Sequence, residues 1–103
     1  MNENKEPTCQ QQLDAFFKAY PNPNLQNEVN GFVTRYKIPM KGKSGGWAGG
    51  IVYALSNLYK SPCGIRGVLN KECEDSFNVS MDTIYRRAYQ ISKLLVINWG
   101  SRN

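Results

Sequence analysis

Apolar residues recur at helical intervals along most of this chain. Leu13, Phe16, Phe17 and Tyr20 share one face of a first helix, which Pro21 and Pro23 close. Leu25, Val29, Phe32, Val33 and Tyr36 form the single stripe of a second helix that stops before Pro39. Trp47, Ile51, Ala54, Leu55 and Leu58 mark a third. Val52 and Tyr53 make that helix apolar on nearly every side, the pattern of an element buried at the centre of a bundle. After the loop SPCG, the stretch IRGVLNKECEDSF predicts a fourth helix starting near Val68, with Leu69 and Cys73 inward and Glu72, Glu74 and Asp75 outward. Asn78 ends it, because asparagine tolerates the left-handed backbone of a sharp turn, and Ser80 suits the N-cap of a fifth helix. That fifth helix runs from Met81 to about Val96. Ile84, Ala88, Ile91 and Leu95 face inward on it, and Asp82, Arg86, Tyr89, Gln90 and Lys93 lie on the opposite face. The tail INWGSRN predicts a short strand or coil laid back on the bundle through Trp99, and no segment alternates as a regular strand.

The expected fold is therefore all-α, a single small five-helix bundle whose last two helices form a helix-turn-helix. Residues 1–7 are expected to be a flexible N-terminus and 8–40 to hold two helices. Residues 41–97 carry the central helix plus the helix-turn-helix, and 98–103 form the tail. A chain of 103 residues can build one modest core and no second. Its opening MNENKEP lacks an apolar signal region, and the run from Trp47 to Tyr59 is too short and too interrupted by Ser56 and Asn57 to span a bilayer. The expectation is a cytoplasmic protein without a membrane partner. Histidine is absent, and Cys9, Cys63 and Cys73 form no C-x-x-C pair, so neither a zinc site nor a cofactor is expected. No nucleophile and base stand out as a pair, which argues against an enzyme.

Charge changes the picture. The net charge is +5, and from Arg35 to Arg66 the chain carries six basic residues (Arg35, Lys37, Lys41, Lys43, Lys60, Arg66) and no acid. A segregated basic middle suits a polyanionic partner.

Within that region lies KGKSGGWAGG, residues 41–50, which has the look of a phosphate loop. A P-loop needs a glycine five residues before Gly42, where Lys37 stands, and a preceding strand that the pattern does not provide. No G-x-G-x-x-G register exists either. Gly42 to Gly45 does match the G-x-x-G clamp of KH domains, but that fold needs a sheet. The spacing supports packing instead. Gly46, Gly50 and Ala54 are four apart and make a side-chain-poor stripe along which a neighbouring helix can approach closely. Each glycine costs a helix about 1 kcal/mol relative to alanine, so the stripe requires such a packing reason.

The segment WAGGIVYALSNLY, a loop, and then VLNKECEDSFNVSMDTIYRRAYQISKLL resembles an uncharacterised bacterial domain family of unknown function. That family has a W-A-x-G-I-x-Y-A helix before a helix-turn-helix closing on F-G-V-S. The same order is similar to the last three helices of a cyclin-box repeat in archaeal and eukaryotic transcription initiation factor B. The resemblance spans roughly residues 41–96 and rests most on Trp47, Ala48, Gly50, Ile51, Tyr53 and Ala54, then on Phe77, Val79 and Ser80. Asn78 replaces the usual glycine while preserving the turn, and Glu74 and Asp75 stand where small residues are usual. What the resemblance implies is a cyclin-box-like helical fold, with little biochemistry attached.

A helix-turn-helix places its second helix in the major groove of double-stranded DNA. Asp82, Thr83, Arg86 and Gln90 are then the candidate readers, since Arg bonds guanine and Gln adenine in a bidentate way. Arg87, Lys93, Lys41 and Lys43 are candidate phosphate contacts. This makes the chain a small transcriptional regulator or accessory factor. The alternative is a protein-interaction module or small inhibitor of phage or mobile-element origin, docking through Tyr85 and Tyr89 on the rim of the same face. The oligomeric state is left open by the sequence.

Overall fold

Local capping sets where the first helices begin. Thr8 accepts a hydrogen bond from the Gln11 amide through its hydroxyl (3.1 Å), and the Gln11 side chain accepts one from the Thr8 amide (2.8 Å). This reciprocal box opens α1 (Cys9–Ala19). Asn22 accepts from the Leu25 amide (3.2 Å), and Pro23 takes the first helical position, where its missing N–H costs nothing, to open α2 (Pro23–Arg35). Pro23 thus starts the second helix as well as following the first. The computed structural model describes residues 7–37, 41–58, 65 and 67–101. Residues 1–6 of the expected flexible N-terminus, the SPCG loop, Lys60, Cys63 and Arg66, and the side chain of Trp99 lie outside the described residues. Three more helices complete the described chain: α3 (Ser44–Leu58), α4 (Asn70–Phe77) and α5 (Met81–Ser101).

The fold is all-α. Among the described residues no strand occurs, only an isolated bridge between Ile65 and Val68, so the sheet that a KH clamp needs is missing from them. α3 packs against each of the other four helices and most extensively against α5. Every residue from Gly45 to Val52 is buried, and Trp47, Ile51 and Leu55 are at most 6% exposed, as the all-round apolar pattern required. The core joins all five helices, with Phe16 of α1 stacked on Phe77 of α4 at 5.0 Å between ring centroids. No polar or charged side chain is buried in it among the described residues. Its stabilisation is therefore apolar burial and dispersion.

Two boundaries differ from the sequence reading, and the start of α3 is fixed where the sequence left it open. α3 starts at Ser44, whose hydroxyl donates to the Pro7 carbonyl (2.7 Å) and accepts from the Gln12 side-chain amide (2.6 Å). Those bonds draw the glycines into the helix by tying its first turn to α1. α4 begins at Asn70, two residues after Val68, because a tight turn bonds the Val68 amide to the Ile65 carbonyl (3.0 Å) and holds Gly67 at positive φ. Leu69 is then an extended cap residue whose amide donates to the Glu72 carboxylate (2.9 Å), and its side chain, expected inward, is 70% exposed. α5 continues to Ser101 and incorporates most of the tail that had been expected as strand or coil. No proline or left-handed residue stops it near Val96.

Between α4 and α5 only Asn78, Val79 and Ser80 intervene, and Asn78 adopts the left-handed conformation, φ 55° and ψ 42°. The Glu74 carboxylate accepts from the Met81 amide (2.7 Å), and the Ser80 carbonyl accepts from the Ile84 amide (3.1 Å), so the turn is fixed from both sides. Glu74 was expected to face outward; here it caps the next helix. Asn78→Val is expected to lower stability by roughly 1–2 kcal/mol, since a β-branched residue resists positive φ, while Asn78→Gly should be neutral or slightly stabilising. Chemical denaturation checks both, and a silent Asn78→Val contradicts this turn geometry.

Candidate nucleic-acid interface

The glycine-flanked lysines and the outer face of α5 meet at one arginine. Arg87 lays its guanidinium over the Trp47 ring, with Cζ 4.4 Å from the centroid. Its Nη2 donates to the Lys41 carbonyl (3.1 Å) and its Nη1 to the Gln90 side-chain oxygen (3.0 Å). Its Nε is buried with no hydrogen-bond partner. The Lys41 carbonyl also accepts from the Trp47 indole N–H at 2.9 Å. Gly42 lies against the same guanidinium: at φ +98° it holds a conformation that L side chains resist, and a β-carbon there would stand 2.9 Å from Nη2.

Sequence reasoning missed Arg87 and Trp47 in this role. The two residues are 40 apart, so no local spacing announces their contact. The signal that could have found the turn is Gly42 between two lysines, read in the sequence only as part of a phosphate loop. The small-residue stripe does what its spacing implied. A β-carbon on Gly46 would come within 2.8 Å of Thr83 Cγ2, and one on Gly50 within 2.6 Å of Arg87 Cβ, so both glycines let α5 lie directly on α3.

Around this junction the remaining site residues divide. Asp82, Arg86, Gln90 and Lys93 are exposed along α5, and Lys41 and Lys43 are exposed on the loop entering α3. Asp82 sits in the first turn of its helix, where the helix dipole favours a carboxylate. Thr83 is half-buried, its methyl turned toward Gly46. Tyr85, 42% exposed, packs edge-on against Tyr53, and its hydroxyl accepts from the Asn70 side-chain Nδ2 (3.3 Å). Tyr89 is 64% exposed, with the Lys93 ammonium 5.0 Å from its ring centre. Among the described residues the ion pair formed is Lys71–Asp75 on α4, and no described carboxylate pairs with Lys41, Lys43, Arg86 or Lys93. No group of metal-ligating side chains occurs among the described residues, and no described helix is long and apolar enough to cross a membrane.

The thiols of Cys9 and Cys73 are both pushed up to about 11, Cys73 by burial and then by the neighbouring Glu74 charge, Cys9 by burial. Neither is the low-pKa thiolate of a reactive cysteine. Because the folded thiol holds its proton above the unfolded value of 9.0, its contribution is fully present below pH 9 and is lost as pH rises toward 11. Guanidinium unfolding at pH 8 and pH 10.5 should therefore show a larger alkaline loss for the wild type than for Cys73→Ser. Equal losses would contradict the shift.

Comparison of the chain with family models, with curated proteins and with solved structures finds no match.

Proposed function

We propose that this chain binds double-stranded DNA as a helix-turn-helix protein, with α4 and the Asn78 turn setting α5 into the major groove. The observation that carries this reading is the set of exposed cations with no ion-pair partner among the described residues, Arg86 and Lys93 on α5 and Lys41 and Lys43 on the adjoining loop. Arg86 and Gln90 lie one turn apart on the exposed face of α5, as base-reading side chains do, and the exposed Lys41, Lys43 and Lys93 would neutralise flanking phosphates. Such a chain acts as a small regulator or accessory factor of transcription.

The test is binding to a random-sequence duplex pool at about 50 mM salt, where nonspecific affinity is strengthened relative to physiological salt. A mobility shift is expected, and none at micromolar protein removes the proposal. One observation favours a second reading. Leu69, Tyr85 and Tyr89 are exposed large apolar side chains, a composition that suits a protein partner. In that case Tyr89→Ala would abolish partner binding while DNA binding is absent.

A further inference from the structure

We infer that Arg87 is a positioning residue that latches the Lys41–Lys43 loop and the Gln90 side chain into one surface, and that it does not itself contact phosphate. This rests on the DNA reading for its consequence and on geometry for its substance. The two terminal nitrogens of one guanidinium, about 2.3 Å apart by its planar fork geometry, bond the Lys41 carbonyl and the Gln90 oxygen. Those two acceptors are thereby held side by side although 49 residues separate them in the chain. The Trp47 ring closes one face of the guanidinium, and Gly42 at positive φ lies against Nη2. Two of its five N–H donors and one face of its plane are thereby engaged within the protein.

The latch also fixes what Gln90 can read. Arginine only donates, so the Gln90 oxygen must face Arg87 and its NH2 must face away. Bidentate recognition of adenine needs the glutamine oxygen to accept from N6–H while the nitrogen donates to N7. With its oxygen turned toward Arg87, Gln90 presents a donor, which suits purine N7, guanine O6 or thymine O4 and lacks the acceptor that singles out adenine N6–H. Lysine cannot replace Arg87 here, since a single ammonium lacks the flat fork that spans both acceptors and stacks on Trp47.

The experiment combines a loop readout and a base readout on the full chain. In Arg87→Met, which keeps an apolar stem against Gly50, lysine-specific proteolysis after Lys41 and Lys43 is expected to speed up at least tenfold while the far-UV circular dichroism is retained. Arg87→Lys should show the same loosening. Equal cleavage rates in wild type and Arg87→Met overturn the latch whether or not the wild type binds DNA. Sites selected from a random duplex pool should gain adenine at one position in Arg87→Met, with the other positions unchanged. In a Lys41→Gln, Lys43→Gln background the same substitution should cost less than twofold in affinity. A tenfold loss in both backgrounds, or full rescue by Arg87→Lys, identifies a direct phosphate contact and overturns the proposal. Should Arg87→Met not fold, nitrogen-detected NMR of the wild type decides: slowed rotation of the Arg87 Nη groups, unchanged by added duplex, supports the latch, and free rotation sinks it. Failure of the wild type to bind any duplex ends the DNA reading, and the proteolysis and NMR arms still judge the latch.

Discussion

A Gly45→Ala variant is expected to lose about 3 kcal/mol or more of stability, enough to lower the melting temperature by roughly 12 °C in a domain of this size. An added β-carbon at Gly45 would run into the carbonyl oxygen of Phe77, with the Gln12 side-chain oxygen 3.1 Å away on another side. The Phe77 carbonyl belongs to the last turn of α4, directly before the left-handed Asn78, and cannot rotate aside without breaking that turn. Helix propensity pulls the other way, since alanine is better than glycine inside a helix by about 1 kcal/mol. Overpacking against backbone costs more than this, so the clash wins. Gly31 on α2 is the matched control. A β-carbon there meets nothing within 4 Å, and Gly31→Ala should stabilise by roughly 0.5–1 kcal/mol. Thermal unfolding of both variants measures the contrast, and a Gly45→Ala protein as stable as wild type would disprove the close approach of α3 to the end of α4.

Duplex binding is expected to weaken roughly 40-fold between 50 and 200 mM salt. This follows from three phosphate contacts, by Lys41, Lys43 and Lys93, each contributing about 0.9 to the slope of log affinity against log salt. All three are exposed and have no ion-pair partner among the described residues, so each is available to displace a condensed counterion. Lys43→Gln should lower the slope by about 0.9 and weaken binding evenly across sequences. Arg86→Ala should instead cost about 1–3 kcal/mol on a preferred site and less on random sequence, because a guanine-reading fork discriminates between bases. Fluorescence anisotropy over a salt series measures both. A flat salt response together with sensitivity at Tyr89 would favour the protein-docking alternative.

The five helices were legible in the sequence because each is held by a one-dimensional signal. Leu13, Phe16 and Phe17, or Ile84, Ala88, Ile91 and Leu95, repeat with the period of the helix, and burial follows the period. Asn78 was legible as a left-handed turn because few other side chains tolerate that backbone. The stripe of Gly46 and Gly50 also showed through, since a glycine repeat within a helix has few uses other than close approach. What only the tertiary structure decided depends on contacts between residues far apart in the chain. Leu69 looked apolar and inward, yet the turn at Ile65 and Val68 and the Glu72 cap delayed α4 and left it in solvent. Gly45 gave no sign that the end of α4 would press on it. Arg87 read as one more exposed cation, and its engagement with Trp47, Lys41 and Gln90 exists because the α3–α5 packing brings the loop over the helix. Periodicity records which face a residue occupies, whereas the partner it meets there is set by how the helices cross.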